Sequence, residues 1–297
     1  MALRRFAALL AATAALLSPA LVTAAAAAEL NVYSSRHYDT DQALYDGFTA
    51  ATGITVNRIE EKGDVLLQRL KAEGANSPAD VFITVDAGNL WRADQDGLFQ
   101  PVESAVLAER IPANLRHPQG HWFGFATRVR TIMVADGGVA PSDVPTYESL
   151  ADPKLAGKLC IRPSSNLYNL SLMGALIDRI GEPSAEAWAQ GVVANFARAP
   201  QGNDTDQIKA VASGECGVAV ANHYYLVRLR TSADAADRAV GEKIRIVFPN
   251  QETSGAHVNI SGAGVLKTAP NREAAVKFLE YLASDVAQRL FADGAFE

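Results

Sequence analysis

Short apolar runs alternate with segments of helical period along the first third of the chain. Three runs have the length and composition of buried strands: residues 30–33, 54–59 and 79–85. Three segments between and after them carry apolar side chains at helical spacing: residues 40–52, 64–73 and 89–96. Asp39 or Thr40 is the predicted N-cap of the first helix, and Gly53 suits its end. This β-α-β-α-β order predicts a parallel sheet with crossover helices.

Two apolar stretches further along the chain predict strands that join two lobes. Residues 122–134 form a run too long for one ordinary strand, as expected of a strand that crosses between lobes. Residues 258–265 are predicted to cross back. We therefore expect an α/β fold of two lobes, with a ligand cleft between them and crossing hinge strands that join them. The predicted segments are lobe 1 over 29–127, lobe 2 over 128–257, and a lobe 1 return segment over 258–297.

The remaining apolar patterns predict further elements of both types. The predicted strands cover residues 158–162, 218–221 and 244–248. The predicted helices cover residues 170–180, a segment that ends at 196, residues 206–213 and residues 272–291. Ser184, which follows Pro183, is the predicted N-cap of the helix that ends at residue 196.

The first residues carry the parts of a secretory signal peptide, which we predict over residues 1–28. Two arginines give a positive start, an apolar run follows over 6–22, and small residues at 24–28 suit cleavage. A membrane anchor is the alternative, but the run is near the lower limit for a spanning helix and Pro19 interrupts it. The sequence therefore predicts an exported protein, periplasmic in a cell that has an outer membrane.

Composition narrows the class of protein further. Hydrophobic residues make up 48% of the chain and charged residues 20%, which indicates a globular protein. The formal net charge is −6, and this acidic balance argues against nucleic acid as a partner. The charge balance says little about small ligands, because one site can be locally basic in an acidic protein. We expect a monomer.

The two cysteines, Cys160 and Cys216, are predicted to form a disulfide. An even number of cysteines in an exported protein usually means that they form disulfides. Both cysteines lie at the edges of predicted strands that could be neighbours. Two buried free thiols are the alternative. The sequence contains no Cys-x-x-Cys pair, which excludes a zinc ribbon.

Three polar loops at the carboxyl ends of predicted strands hold four of the eight tyrosines of the chain. They are Arg36-His37-Tyr38, residues 164–169 with Tyr168, and residues 222–225 with Tyr224 and Tyr225. Ligand clefts of α/β proteins lie at the carboxyl ends of strands, so closing lobes would bring these loops together. Adjacent tyrosines can face one site only from a turn or a first helical turn, because strand neighbours point opposite ways.

Four phenols at one site favour a hard trivalent cation. A free tyrosine has a pKa of about 10, so ionising several together requires a strong local positive charge. Ferric iron supplies that charge, whereas Ca²⁺ and Mg²⁺ take carboxylates and carbonyls, and Zn²⁺ prefers histidine and cysteine. Four phenolates on Fe³⁺ leave one net negative charge, which Arg128, Arg130 or Arg228 could balance. Exposure, or pairing with structural acids, is the alternative for these arginines.

The sequence resembles the periplasmic ferric-iron-binding proteins that feed bacterial iron ABC transporters, particularly those of the cyanobacterial type. The matching stretches are residues 32–41, 77–81, 122–125, 162–169, 200–205 and 224–229. The resemblance covers the chain from about Glu29 to its end, and the tyrosine pair and the His-Tyr of the first loop are its specific part. Family members usually continue with further C-terminal helices, so we expect a truncated C-terminus.

The resemblance implies a fold, a cargo and a ligand set. The fold would be that of a type II periplasmic binding protein. The cargo would be ferric iron or an iron chelate, handed to the inner-membrane permease of an ABC transporter. Whether a synergistic anion such as carbonate or citrate accompanies the iron stays open at this point. Matched by motif, the iron ligands would be Tyr38, Tyr168, Tyr224 and Tyr225, and His37 matches an additional ligand of some members.

The other histidines receive no ligand role. His223 adjoins the tyrosine pair, but the resemblance supplies no function for it, and we expect a surface or loop position. His117, His121 and His257 lie outside the three loops and are interpreted as structural.

Two other classes of protein stay open. A binding protein for an organic ligand or anion, such as a polyamine, thiamine or a phosphonate, would use aromatic walls, carboxylates or helix N-termini. Ser164 and Ser165 precede a predicted helix and suit an anion, either as that ligand or beside the metal. A non-haem iron enzyme is less favoured, because the His-x-Asp spacing of His37 and Asp39 is a weak match to a facial triad. We expect no enzymatic activity, since the sequence also lacks a Gly-x-Ser-x-Gly nucleophile elbow.

Overall fold

The structure is a computed structural model that describes residues 28–36 and 38–296. Residues 1–27 of the predicted signal peptide and the predicted ligand His37 lie outside the described residues. Within the described part, no helix has both the length and the apolar character that crossing a bilayer requires.

The described chain alternates strands and helices throughout. The strands are β1 (Glu29–Ser34), β2 (Thr55–Glu60), β3 (Val81–Thr84), β4 (Phe123–Ala135), β5 (Leu159–Cys160), β6 (Val218–Asn222), β7 (Ile244–Val247) and β8 (Val258–Val265). The α-helices are α1 (Gln42–Thr52), α2 (Gly63–Glu73), α3 (Ala87–Gln95), α4 (Ala105–Arg110), α5 (Leu167–Ile180), α6 (Glu182–Ala194), α7 (Asp204–Ser213), α8 (His223–Thr231), α9 (Ala235–Glu242), α10 (Arg272–Leu282) and α11 (Asp285–Leu290).

The long strand β4 belongs to both halves of the sheet. The strand order is β2-β1-β3-β8-β4-β6-β5, and β7 also pairs with β4. In the first half, β1 is parallel to β2 and β3, and β8 is antiparallel to both β3 and β4. In the second half, β4 is antiparallel to β6 and β7, and β5 is parallel to β6. The change of partner falls between Val129, which pairs with β8, and Arg130, which pairs with β6.

Each half of the sheet is covered by apolar side chains on both faces. In β1, Val32 packs into one core and its neighbour Tyr33 into another. In β6, Val220 and Ala221 divide between two further cores in the same way. The alternation of side chains along a strand therefore explains why these short runs are apolar at nearly every position.

Two predicted helix boundaries are wrong, and the backbone at the true boundaries gives the reason. The predicted helix over 272–291 is divided into α10 and α11, because Ser284 is extended and its side chain accepts a hydrogen bond from Ala287 N–H, 3.3 Å long. Helix α6 begins one residue before Pro183, so the predicted N-cap Ser184 lies inside the helix.

The entry to α1 also differs from the prediction. Asp39–Asp41 forms a 3₁₀ turn of its own, and α1 starts after it, so neither Asp39 nor Thr40 is the N-cap of α1. Helix α1 does end at Gly53, which has a left-handed φ of 72°. Helices α4, α8 and α9 are absent from the predicted set, and strand β5 is shorter than the predicted 158–162.

Candidate metal centre

The four tyrosines of the predicted site all follow the carboxyl end of a strand. Tyr38 comes four residues after β1, at the start of the 3₁₀ turn that precedes α1. Tyr168 lies in the first turn of α5, where its backbone N–H donates to the side chain of the N-cap Asn166 at 3.1 Å. Tyr224 and Tyr225 lie in the first turn of α8, directly after β6. This first-turn position lets two adjacent side chains lie against each other on the same side of the helix.

The tyrosine hydroxyls meet around Tyr224. The Tyr224 hydroxyl lies 3.3 Å from the Tyr38 hydroxyl and 3.3 Å from the Tyr168 hydroxyl. The Tyr225 ring stacks on the Tyr224 ring, with ring centres 4.4 Å apart. Loops from both halves of the sheet therefore contribute to one cluster of phenols, which we call the tyrosine cluster (Tyr38, Tyr168, Tyr224 and Tyr225).

Burial holds the phenols of the α8 pair in their neutral form. Burial, together with repulsion from Tyr168, Tyr38 and Tyr225, raises the pKa of Tyr224 well above its usual value of 10.0. Burial is also the main cause that raises the pKa of Tyr225 to about 12. These oxygens become phenolates only when a strong positive charge enters the cluster.

Arg228 lies against the faces of three of the four phenol rings. Its guanidinium carbon is 4.9 Å from the ring centre of Tyr38, 5.2 Å from that of Tyr224 and 5.9 Å from that of Tyr225. A cation at these distances is attracted to an aromatic face and favours the phenolate form of the ring beside it. The predicted role of Arg228 as a charge near the site is consistent with this position.

Arg128 and Arg130 are both buried, and their contacts differ. Arg128 donates to the carbonyl of Val85 and to the Ser261 hydroxyl, and its charge opposes the rise in the pKa of Tyr224. Arg130 forms a buried ion pair with Asp204, 2.7 Å between nitrogen and oxygen. Arg128 thus acts on Tyr224, while Arg130 is paired with a structural acid and also lies 5.8 Å from the ring centre of Tyr168.

Asp204 is a positioning residue that the sequence prediction missed. It is fully buried at the first position of α7, and its carboxylate accepts hydrogen bonds from Arg130 and from the backbone N–H of Asn222 at 2.8 Å. The second contact holds the turn from which Tyr224 and Tyr225 project. The matching stretch 200–205 contains Asp204, but a role beneath the site depends on partners 18 and 74 residues distant in the chain, so no local pattern indicates it.

A polar cleft of 700 Å³ opens beside the tyrosine cluster. Its walls include Tyr168, Tyr225, Ser165, Arg162 and Lys62. Both Ser164 and Ser165 are exposed just before α5, and Ser165 faces this cleft. A second cavity of 760 Å³ is lined by residues 135–139 and 211–217 among others, and none of the four tyrosines reaches it.

The structure also places the predicted cysteine pair and His223. A disulfide joins Cys160 of β5 to Cys216, which precedes β6, so the strands that lead to Tyr168 and Tyr224 are linked covalently. His223 is a partly buried residue at the start of α8, where its Nδ1 accepts a hydrogen bond from Val129 N–H at 3.1 Å, rather than a surface or loop histidine.

Two α/β halves that share a strand, with loops of both meeting in one polar cleft, define a two-lobed solute-binding protein. The chain belongs to the bacterial extracellular solute-binding protein family, whose pattern matches residues 43–296.

Several proteins of known name are similar to this chain. Iron uptake protein A1 of Synechocystis is 57% identical over 269 residues, which cover 91% of this chain and 75% of that protein. The major ferric iron-binding protein of Neisseria meningitidis serogroup B is 31% identical over 93% of this chain and 82% of that protein.

Solved structures of iron-binding proteins are also similar to this chain. FutA of Trichodesmium, solved in complex with iron and citrate, is 58% identical, covers 90% of this chain and 84% of its own, and has a TM-score of 0.85. The ferric binding protein of Campylobacter jejuni is 40% identical, with a TM-score of 0.86, over 90% of this chain and 85% of its own. The predicted two-lobed α/β fold and the predicted family resemblance are therefore confirmed.

Proposed function

We propose that this protein captures ferric iron in its cleft through the phenolates of the tyrosine cluster. The observation that carries the proposal is the meeting of hydroxyls from both halves of the sheet, with Tyr224 at 3.3 Å from both Tyr38 and Tyr168. Relatives at 57% and 58% identity, named for iron uptake or solved with iron and citrate, support the same cargo.

Binding couples the metal charge to the loss of phenol protons. A ferric ion offsets the burial and mutual repulsion that keep Tyr224 and Tyr225 neutral, so metal entry and deprotonation occur together. Four phenolates around Fe³⁺ carry one net negative charge. Arg228 lies against three of the rings, and Arg128 acts on Tyr224, so both arginines stabilise that charge.

An anion completes the metal site in this proposal. Ser164 and Ser165 stand before the N-terminus of α5, a helix of 14 residues whose dipole favours negative charge at this end. Arg162 lines the same part of the cleft. A citrate or carbonate held there would fill coordination positions that the phenolates leave, and His37 is the proposed additional protein ligand.

Delivery follows from the two-lobed architecture. The lobes close around the ion, and the loaded protein hands it to the inner-membrane permease of an ABC transporter, where opening separates Tyr38 from the other three tyrosines. The protein acts in the periplasm as a monomer, after export directed by the predicted signal peptide. Its role is saturable binding, with no chemical conversion of a substrate.

The proposal is tested by titrating the purified protein with ferric citrate and recording the visible spectrum. We expect an orange-red band from phenolate-to-iron charge transfer, saturating near one iron per chain. The double variant Tyr224→Phe, Tyr225→Phe should lose the band. The control Tyr281→Phe should keep it, because the buried Tyr281 hydroxyl has no hydrogen-bond partner among the described residues and lies outside the cluster.

Two outcomes would contradict different parts of the proposal. A folded wild type that stays colourless would overturn tyrosinate binding of iron and favour an anion or organic ligand instead. A band of equal intensity in the double variant would leave iron binding in place and overturn the assignment of the tyrosine pair.

A further inference from the structure

A second group of metal-binding side chains lies outside the tyrosine cluster. Asp94, His117 and His121 each offer one ligand atom, and these atoms all lie within 4.8 Å of one another. His121 Nδ1 is 2.5 Å from Asp94 Oδ1, and His117 Nε2 is 3.5 Å from Asp94 Oδ2. We call these three residues the His-His-Asp group.

The backbone fixes the two imidazoles side by side. His117 N–H donates to the carbonyl of Trp122 at 2.9 Å, and Gly120 N–H donates to the carbonyl of His117 at 2.9 Å. Gly120 has a φ of 72°, and a Cβ there would lie 2.4 Å from the carbonyl oxygen of Val102, so the turn is specific to glycine. The two rings are parallel, with centres 4.5 Å apart.

The His-His-Asp group lies at the opposite edge of the sheet from the tyrosine cluster. Asp94 is near the C-terminus of α3, which runs back from the carboxyl end of β3 for about 13 Å. His117 and His121 precede β4, which is antiparallel to β8 and therefore parallel to β3. Both segments thus meet at the amino ends of these strands, whereas the tyrosines follow the carboxyl ends.

We propose that Asp94, His117 and His121 form a second metal site, which binds a divalent transition-metal ion of the Zn²⁺ class. Two imidazoles and one carboxylate are a donor set that suits Zn²⁺, whereas Ca²⁺ and Mg²⁺ prefer oxygen atoms alone. Three protein ligands leave a fourth position for water or another small ligand.

Hydrogen bonding within the group accounts for the contact of Asp94 with His121 and leaves the contact with His117 long. Asp94 is well placed for His121, but its separation of 3.5 Å from His117 Nε2 exceeds an ordinary hydrogen bond. An ion between the three side chains would engage all of them. The side chains are 15%, 19% and 24% exposed for Asp94, His117 and His121, so an ion reaches them without any opening of the fold.

Coordination requires two small changes, both in a surface turn. One imidazole must rotate, because a shared ion lies near the plane of each ring and the rings are parallel. His117 must also carry its proton on Nδ1, which ends the hydrogen bond that Nδ1 accepts from the exposed Gln119 N–H at 3.2 Å. The loss of one exposed hydrogen bond is small beside the gain of a metal ligand.

The test measures Zn²⁺ binding by equilibrium dialysis in a chain without an affinity tag. The background is Tyr224→Phe, Tyr225→Phe, which removes the phenol pair as a competing site. We expect one Zn²⁺ per chain in this background. Adding His117→Gln and His121→Gln should weaken binding by at least tenfold, the minimum expected for lost metal ligands. The control Asp96→Asn should change nothing, because Asp96 lies two residues from Asp94 and pairs with Lys71 instead.

Absence of Zn²⁺ binding in the background chain would overturn the proposal, and so would equal binding after the histidine substitutions. Circular dichroism and the urea midpoint show whether each variant is folded. If the pair of substitutions unfolds the chain, His121→Gln alone is measured with the same criterion. The test is independent of the iron proposal, since it uses neither ferric iron nor an intact tyrosine cluster.

Discussion

At the scale of a single residue, each phenol of the tyrosine cluster must lose a proton before it binds a ferric ion as phenolate. The pKa of Tyr225 is raised to about 12 and that of Tyr224 lies higher than its usual value, in both cases mainly because of burial. Both hydroxyls are therefore protonated in the metal-free protein at neutral pH. Protons and ferric iron compete for the same oxygens, so binding weakens as pH falls.

The first prediction is a difference in proton release. Adding ferric citrate to the weakly buffered wild type near pH 7 should release about one proton for each phenol that binds. Tyr225→Phe should release about one proton fewer per iron, and Tyr281→Phe should match the wild type. A pH electrode measures the release directly, and equal release by Tyr225→Phe and wild type would contradict the role of Tyr225.

The identity of the tyrosines could be predicted from the sequence because the residue type itself limits the chemistry. Four phenols in three loops at strand ends favour a hard cation, and the positions of Tyr38, Tyr168 and Tyr224 agree with that reasoning. The sequence could not show which of the predicted arginines lies against the phenol rings. Only packing distinguishes Arg228, which lies over three rings, from Arg130, which is paired with Asp204.

At the scale of an element, the N-terminus of α7 supports the turn between β6 and α8. Asp204 accepts from Arg130 and from the backbone of Asn222, and Arg130 in turn donates to the side chain of Asn169 in α5 at 2.9 Å. One buried acid thus connects the two helices that carry Tyr168 and the tyrosine pair.

The second prediction compares two acids of α7. Asp204→Asn removes the charge that pairs with buried Arg130, so the free energy of unfolding should fall by about 3 kcal/mol and ferric affinity should fall with it. Asp206→Asn should cost about 1 kcal/mol or less, because Asp206 is an exposed capping residue on the same helix. Urea unfolding measures both, and similar losses for the two variants would contradict this account.

Element types were predictable where periodicity is long and unbroken, as in α1 and β4. The failures fall where a single side chain decides the boundary. Ser284 accepts a hydrogen bond from Ala287 and starts a new helix within a continuous apolar pattern. Strand β5 pairs for only two residues, although the apolar signal around it is longer.

At the scale of the whole molecule, the disulfide between Cys160 and Cys216 closes a segment that includes α5, α6 and α7. Its effect on stability is mainly a restriction of the unfolded chain, which increases with the length of the closed segment. The bond lies in the second half of the sheet, in the apolar core against which Tyr225 packs.

The third prediction follows from the 56-residue separation of the two cysteines. Reduction of the metal-free protein should lower the free energy of unfolding by about 4 kcal/mol. The double variant Cys160→Ser, Cys216→Ser should show the same loss and no response to reductant. Urea unfolding with and without reductant measures both, and an unchanged midpoint in the reduced wild type would exclude a stabilising disulfide.

The fourth prediction concerns acid stability at the junction of β4 and β8. Burial, together with the charge of Arg130, lowers the pKa of His257 from 6.5 to about 4. Between these pH values the unfolded chain binds a proton at His257 and the folded chain does not, so stability falls as pH drops from 6.5 to 4. The loss from this residue is up to about 3 kcal/mol.

The variant His257→Gln separates this contribution from that of the carboxylates, which also titrate in acid. Its urea midpoint should fall less steeply than that of the wild type between pH 6.5 and 4. Parallel curves would show that His257 contributes nothing to the acid sensitivity. The side chain contacts Ser171 Oγ at 3.1 Å, so glutamine retains a polar partner at this position.

The two-lobed plan was predictable because the run that became β4 is too long for one ordinary strand, and the structure divides its pairing between Val129 and Arg130. The predicted lobe boundaries stay predictions. The mutual approach of the three loops could not be obtained from the sequence, because it depends on how far the halves of the sheet rotate about this shared strand.

The tyrosines are divided unevenly between the two halves of the sheet. Strand β1 leads to Tyr38, whereas β5 and β6 lead to Tyr168, Tyr224 and Tyr225. When the halves separate, the proposed site loses one phenolate and keeps three, so the ion stays attached to one wall of an open cleft. An incoming chelator then meets the positions that Tyr38 and the proposed ligand His37 vacate. In this proposal the rate of iron exchange is governed by the bonds from the first loop, which are the first to break and the last to form.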